Sequence, residues 1–430
     1  MRVLIIGSGG REHALACSIA GSPLLTKLYV APGNAGTAEV AENVPIGAVD
    51  VPALVEFALA HQIDLVMPGP EAPLVAGIAD ALAAAGIRCC GPTAAAARLE
   101  GSKSFTKEIA DAAGVPTAAW EHFDDPAAAH EFVRRKGAPI VIKADGLAAG
   151  KGVVVAQSVT EAQAAITALM ERASLGEAGA SVVIEECLTG LELSVFALCD
   201  GLTALLLGVA QDHKRVGEGD TGANTGGMGA ISPPPIATPE LIENVLARII
   251  RPTLAEMQRR GTPFRGVLFA GIMVTERGPK LIEYNVRFGD PECEALLPRL
   301  RSDLLPALLA ACDGELGDFD LQWKNLASAV VVMAARGYPG EYVRHTRIGG
   351  LNRAGAVEGV KIFHAGTERR DGDLLGVGGR VLAVCGTGGD LHQALARAYH
   401  AIDLIDWPQG FCRRDIGRSA AGLSIIGAGT

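Results

Sequence analysis

The chain has 430 residues, more than one compact domain usually holds, so about two to four domains are expected. Hydrophobic residues make up 49% and charged residues 20%, enough apolar material for several cores, which excludes global disorder. Thirty-eight basic against 48 acidic residues leave a net charge of −10, and aromatic residues are only 4%, which excludes a general nucleic-acid or membrane-surface binder and a base-stacking platform.

Strand and helix signals alternate along residues 1–100. An apolar strand at 3–6 leads through the turn Gly7-Ser8-Gly9-Gly10 into a helix at 11–20. A strand at 28–30 precedes the loop Ala31-Pro32-Gly33-Asn34, and Asp50 is placed to cap a helix that runs to residue 60. A strand at 65–67, the loop Pro68-Gly69-Pro70-Glu71, a helix at 72–85 and a strand at 87–90 follow. Strands separated by helices of this length predict a parallel, doubly wound sheet with ligands beyond the carboxyl ends of its strands. The three loops all lie at those ends. Gly7 to Glu12 opens a helix, so its backbone N–H groups suit a phosphate. A dinucleotide fingerprint needs glycine where Glu12 stands, so a sugar phosphate fits better than a dinucleotide; a plain strand–helix turn is the alternative.

A helix within 102–117 ends at Val115-Pro116-Thr117, a predicted crossing between domains. Residues 118–190 read as a compact unit, with helices near 126–136 and 160–172 and strands at 139–144, 152–156 and 181–185. Its glycine-rich turn is not a P-loop. Three residues separate Gly146 from Gly150, Gly152 follows Lys151, and a strand comes next. It reads as a hairpin that folds over polyphosphate, with Lys143 fixed on the first strand; a mobile surface hairpin is the alternative. Glu185-Glu186-Cys187-Leu188 ends a strand between two units. Backbone groups there can pair with an adenine edge, and Glu192 can accept from ribose hydroxyls, although acidic residues at strand ends are usually just solvated.

Residues 191–325 mix strands with a glycine-rich loop at 217–229 and a helix around 239–259. Gln211-Asp212-His213-Lys214-Arg215, on that glycine-rich hinge, suits a closing lid or an ordinary flexible loop. His213 has no second His or Cys at metal-ligand spacing. Strand alternation over 280–290 puts Ile282, Tyr284, Val286 and Phe288 on one face and Glu283, Asn285 and Arg287 on the other. Two oxygen ligands two residues apart suit Mg²⁺ bridged to phosphates, and Arg287 suits a carboxylate or phosphoryl group. A half-solvated strand accounts for the pattern equally well. Residues 326–430 begin with a strand at 328–333, add short strands near 360–364 and 380–385 and a helix at 390–402, and end in a polar tail. The nine cysteines are odd in number and irregularly spaced, without C-x-x-C, which fits a reducing cytoplasm better than a disulfide framework or a zinc site. The apolar run at 202–210 is far short of a bilayer span, and the N-terminus does not read as a signal peptide.

Together these segments resemble, nearly end to end, the glycinamide ribonucleotide synthetases (phosphoribosylamine–glycine ligases) of the ATP-grasp superfamily. The most specific piece is Arg287-Phe288-Gly289-Asp290-Pro291-Glu292 followed by Glu294. Supporting pieces are Gly9-Gly10-Arg11-Glu12-His13-Ala14, Ala31-Pro32-Gly33-Asn34-Ala35-Gly36, Gly69-Pro70-Glu71-Ala72-Pro73-Leu74, Leu99-Glu100-Gly101-Ser102-Lys103 and the segments at 143–152, 211–215 and 224–229. The resemblance implies an α/β (in parts α+β) ATP-grasp fold. It has an N-terminal doubly wound parallel-sheet domain for phosphoribosylamine (1–101), a central body (102–117 and 191–325), an inserted ATP lid (118–190) and a small C-terminal domain (326–430).

Roles follow from the resemblance. Lys103 and Lys143 are implied to hold the ATP phosphates, with Gly150 and Lys151 of the turn also in the ATP site. Glu185, Glu186 and Leu188 are implied as the adenine hinge, and Glu192 as the ribose ligand. Glu283 and Asn285 are implied to hold Mg²⁺ or Mn²⁺; the preceding stretch Leu268-Phe269-Ala270-Gly271-Ile272 offers no further acid. Arg287, Asp290, Lys214 and Asp212 are implied in catalysis. Gly9, Gly10, Arg11, Asn34, Gly69, Pro70 and Glu71 are implied to bind substrate. The implied reaction joins glycine to 5-phosphoribosylamine through glycyl phosphate, with ATP converted to ADP and phosphate, in purine biosynthesis. A cytoplasmic monomer without nucleic-acid or membrane partners is expected. The alternatives are another ATP-grasp carboxylate–amine ligase, or a nicotinamide-dependent oxidoreductase that uses the Gly7–Glu12 turn.

Overall fold

A computed structural model describes residues 1–148, 152–418, 420 and 422. At the N-terminus β1 (Arg2–Gly7), β2 (Lys27–Pro32), β3 (Glu42–Asn43), β4 (Leu65–Pro68) and β5 (Arg88–Cys89) form a parallel sheet in the order β3-β2-β1-β4-β5. Val3, Leu4, Ile5 and Ile6 are all fully buried; Leu4 and Ile6 enter one core, Val3 and Ile5 another. A strand covered on both faces needs such an unbroken apolar run rather than alternation. Asp50 caps the helix Val51–Ala60, accepting from the Ala53 amide at 3.2 Å. The helix expected at 72–85 is two helices, Glu71–Val75 and Ile78–Ala84, because Gly77 lies between them at φ +87°, in the left-handed region.

The next unit is an antiparallel sheet of β6 (Trp120–Phe123), β7 (Ile140–Ala144), β8 (Val153–Ala156) and β9 (Val182–Glu186), in the order β6-β9-β7-β8. Ile140, Ile142, Ala144, Val182 and Ile184 pack with the helices Pro126–Lys136 and Val159–Ile166. The register pairs Val141 with Glu185 and Lys143 with Val183, so those four side chains share the opposite face.

Residues 191 onward build a long antiparallel sheet. Its strands are β10 (Leu191–Asp200), β11 (Ala204–Asp212), β14 (Gly229–Ser232), β15 (Arg265–Thr275) and β16 (Gly278–Asn285); β12 (Arg215–Gly217) and β13 (Thr221–Asn224) form a separate hairpin. The C-terminal residues continue that sheet with β17 (Ala327–Ala335), β19 (Val360–His364), β22 (Arg380–Gly388) and β23 (Gly410–Phe411). The order is β16-β15-β10-β11-β14-β17-β22-β19, with β23 paired to β17. A small sheet of β18 (Thr346–Ile348), β20 (Thr367–Arg370) and β21 (Asp373–Gly376) stands apart. The helix expected at 239–259 is Pro239–Val245 and Arg251–Arg259, joined by a π-helical turn at Leu246–Ile250. No helix among the described residues is long and apolar enough to cross a membrane.

The expected alternation on β16 is interrupted once. A register shift opposite Gly271 and Ile272 leaves Ile282 unpaired. Leu281, Tyr284, Val286 and Phe288 are buried, whereas Ile282 is only half-buried. A bulge turns a carbonyl out of the ladder as well. That of Ile282 accepts from Lys143 Nζ at 3.2 Å.

Candidate active site

Basic side chains from three units meet acidic ones along the edge of β16. Lys103 starts the helix Lys103–Ala112, and its Nζ lies 3.5 Å from Glu283 Oε2. Lys143 of β7 and Lys107 of the same helix close on the two oxygens of Glu185, at 2.8 and 2.9 Å. Lys214, just past β11, lies 2.9 Å from Glu192 Oε2. Burial opposes ionisation of Glu283, yet Lys103, Lys214 and Lys143 outweigh it and hold the carboxyl down to about 2. Glu283 is therefore an anion at any working pH, inside a positively charged pocket edge.

Asn285 and Arg287 follow on the same edge. Arg287 donates through Nη2 to Asn285 Oδ1 at 3.0 Å and to Glu100 Oε1 at 2.9 Å. Its Nε donates to Glu71 Oε2 at 3.2 Å. The second oxygen of Glu100 accepts from the Val286 amide at 2.8 Å. Burial pushes Glu100 up to about 7 against the pull of Arg287. The guanidinium is thus locked between the loop after β4, the helix Ala94–Gly101 and its own strand.

The loop after Arg287 reaches the C-terminal part. Arg380 pairs with Asp290 Oδ1 at 3.0 Å and donates to the Asp290 carbonyl at 2.8 Å. Burial would raise Asp290, but Arg380 and Arg11 keep it below the usual carboxylate range. Glu292 and Asp212 behave oppositely. Both are raised by burial, Asp212 further by the Glu292 charge. An added Cβ at Gly227 would stand 2.7 Å from Asp212 Oδ1, so only glycine lets the chain pass there.

The sequence-expected residues divide by position. Lys103, Lys143, Lys214, Glu192, Glu283, Asn285 and Arg287 lie along or face the β16 edge. The Glu185 side chain is turned to the two lysines, and Glu186 of the hinge segment pairs with Lys280 at 3.4 Å. Leu188 follows β9 in the loop to β10. Gly150 and Lys151 lie outside the described residues. At the N-terminal turn the Gly9 amide donates to Glu12 Oε2, and the Arg11 amide lies 3.5 Å from Asp290 Oδ2. Two of the amides at that turn thus face the chain's own carboxylates. Arg11 is 7% exposed and turned inward, onto Glu12 at 2.6 Å and the Phe288 carbonyl at 3.0 Å. Asn34 is a buried strut that donates to the Ser8 and His364 carbonyls and accepts from the Gly36 and Thr37 amides. Gly69 is pressed against the Glu12 side chain, and Pro70 immediately precedes the helix that Glu71 opens.

Four groups were given no role from sequence: Lys107 and Arg380, and Glu100 and Asp145, which lie inside segments that carry the resemblance. Lys107 carried one readable signal, its place four residues after Lys103 on a single helix face. Asp145 accepts from the Ser104 amide at 2.7 Å and hydroxyl at 2.8 Å, across 41 residues. Arg380 is 90 residues from Asp290, and nothing local marks it.

Matches to known proteins agree along the chain. Residues 1–100, 101–293 and 328–419 match the N domain, the ATP-grasp (A) domain and the C domain of phosphoribosylglycinamide synthetase. A phosphoribosylamine–glycine ligase of Mesorhizobium japonicum is 58% identical over 98% of each chain, and one of Escherichia coli is 49% identical over 97% of this chain and 98% of its own. The crystal structure of a phosphoribosylamine–glycine ligase from Thermotoga maritima superposes with a TM-score of 0.84 at 32% identity, covering 97% of this chain and all of that one. The biotin carboxylase domain of Hydrogenobacter thermophilus 2-oxoglutarate carboxylase, at 17% identity and a TM-score of 0.72 over 96% of this chain and 91% of that one, shares the fold alone. The chain belongs to the phosphoribosylglycinamide synthetase family.

Proposed function

We propose that this chain is the ATP-dependent ligase that joins glycine to 5-phosphoribosylamine, giving glycinamide ribonucleotide, ADP and phosphate, in purine biosynthesis. The full-length identity to phosphoribosylamine–glycine ligases supports this. The observation that carries it here is the β16 edge, where Lys103, Lys143 and Lys214 act together on Glu283, with Arg287 anchored two residues beyond Asn285. Phosphoryl transfer depends on positioning and charge neutralisation rather than a nucleophilic side chain, and this edge supplies both.

In this reading the lysines hold the ATP phosphates and Arg287 holds an anionic group of the acyl donor. The glycine carboxylate attacks the γ-phosphorus and ADP leaves. The amine of phosphoribosylamine then attacks the acyl carbon, and phosphate leaves. Glu283 and Asn285 are a hard, all-oxygen donor pair that suits Mg²⁺ or Mn²⁺, with the remaining ligands coming from phosphates and water. When bound, such an ion would neutralise phosphate charge. The inward-turned Arg11 supports a role in fixing the N-terminal turn against the Phe288 and Asp290 loop, while the loops at Gly9–Gly10, Asn34 and Gly69–Glu71 frame the phosphoribosylamine site. We further read 1–101 as the phosphoribosylamine domain, 102–117 with 191–325 as the body, 118–190 as the lid and 326–430 as the C-terminal domain of a cytoplasmic monomer.

The test is ADP formation with glycine and phosphoribosylamine omitted in turn. Turnover should require both. Full turnover with another amino acid but not with glycine would overturn the substrate assignment.

A further inference from the structure

Glu185 is shared. Its Oε1 faces Lys143 of β7 at 2.8 Å, and its Oε2 faces Lys107 of the helix Lys103–Ala112 at 2.9 Å. All three residues are buried, with exposures of 4%, 2% and 3% for Lys143, Lys107 and Glu185. Lys107 also donates to Thr117 Oγ1 at 2.7 Å, and Thr117 donates to the Leu281 carbonyl of β16 at 2.8 Å. Two buried ammonium groups on one carboxylate are costly to hold, because each loses hydration and they repel. A neutral residue at 107 would pack there more cheaply. The arrangement therefore needs another explanation than stability.

A single carboxylate closed on a single lysine is a satisfied, neutral pair that competes with any incoming phosphate. A second lysine divides the pull of that carboxylate and leaves the cluster with a net positive charge. We infer that Lys107 is a positioning residue for the nucleotide: by sharing Glu185 it loosens the hold of that carboxylate on the Lys143 ammonium, which can then engage ATP phosphates, and its own contact with Glu185 ties the sheet of β6–β9 to the helix Lys103–Ala112. This rests on the proposed role of Lys143 toward ATP. The groups that face Lys107 are Glu185 from β9, Lys143 from β7 and Asp111 from its own helix, with Thr117 linking it to β16. Burial, then the Lys143 charge, lowers Lys107 to about 8 against the pull of Glu185 and Asp111.

The test is calorimetric binding of Mg-ATP to the full-length wild type, Lys107→Met, the double variant Lys107→Met/Glu185→Gln, and Lys107→Arg. Lys107→Met should weaken ATP binding about tenfold or more, the scale of one lost charge-assisted contact. KM for glycine and phosphoribosylamine should stay within about twofold. With Glu185→Gln alone as the reference for any loss at the hinge, the double variant should bind ATP about as well as that reference, because no carboxylate charge is left to hold Lys143; a purely structural role predicts a further loss of the same size as in Lys107→Met. Wild-type affinity should fall above about pH 8, whereas Lys107→Arg, charged throughout, should bind like the wild type at pH 7 and show no such fall. Unchanged ATP affinity in Lys107→Met, or a double variant that loses as much relative to Glu185→Gln as Lys107→Met loses relative to the wild type, would overturn the inference. If Lys107→Met does not fold, the pH limb of Lys107→Arg against wild type decides alone. Failure of glycine-dependent ADP formation in the wild type would instead sink the proposed reaction, and the ATP affinities would still decide Lys107.

Discussion

At the scale of single residues, charge decides the site. Glu283 is held near 2 by three lysines, so it carries its charge from pH 5 upward. Glu283→Gln should raise the Mg²⁺ concentration needed for half-maximal turnover about tenfold or more, with circular dichroism unchanged. An unaltered Mg²⁺ titration at an unaltered rate would remove Glu283 from the metal site. Arg287 has a different fate. It is fixed by Glu71, Glu100 and Asn285 together, and Lys cannot reproduce that fork of donors. Arg287→Lys should therefore cost at least about a hundredfold in kcat/KM, and a loss below about threefold would show that the fork is not used.

At the scale of elements, short polar contacts fasten units that sequence separates. Asp145, next after β7, accepts from the amide and hydroxyl of Ser104, while Ser102 caps the same helix by accepting from the Phe105 amide at 3.2 Å. A carboxylate at a helix N-terminus satisfies orphan N–H groups and meets the positive end of the helix dipole. Asp145→Ala should lower stability by about 1–2 kcal/mol, read as a lower denaturant midpoint. An unchanged midpoint would mean that Asp145 does not stabilise the start of that helix. The glycine-rich loop expected as a lid or flexible loop is also tied down. Buried Arg413 donates to the Arg215 carbonyl at 3.0 Å and to Asp220 Oδ1 at 2.7 Å, which pins the β12–β13 hairpin to the C-terminal segment.

At the scale of the whole molecule, the N- and C-terminal parts meet through two neutral histidines. His13 Nδ1 accepts from the His364 amide at 2.8 Å, and the rings lie edge to face at 5.5 Å. Burial lowers His13 to about 3, helped by the His364 charge, and lowers His364 to about 4. The folded state thus binds fewer protons than the unfolded chain below pH 6.5. Stability attached to this junction is complete above about pH 6.5 and is lost as pH falls toward 4 and 3. For one such group the loss reaches up to about 3 kcal/mol at pH 4. Chemical denaturation of the wild type and His13→Gln between pH 7 and 4 measures it: the variant should lose less on acidification, and parallel curves would show that His13 does not drive the acid response.

The sequence by itself determined many of the element types, because strand and helix periods are local, but not the strand Trp120–Phe123 or the β12–β13 hairpin. It also determined the doubly wound N-terminal sheet, since four apolar runs spaced by helices leave few other topologies. The Arg287–Glu294 signature and the Glu283/Asn285 alternation were legible too, being carried by residues within one strand and its loop. What lay beyond the sequence was every choice made by long-range packing. The bulge at Ile282 shifts the strand register, and only pairing with β15 reveals it. The contacts of Arg11 with the loop at 288–290 and of Asn34 with the strand ending at His364 span about 280 and 330 residues, and nothing local announces them. Lys107, Glu100 and Arg380 stay inconspicuous until burial removes water around them and makes each opposite charge decisive. Local periodicity is written in neighbours along the chain, whereas desolvation depends on residues up to hundreds of positions away, and only the folded chain brings those together.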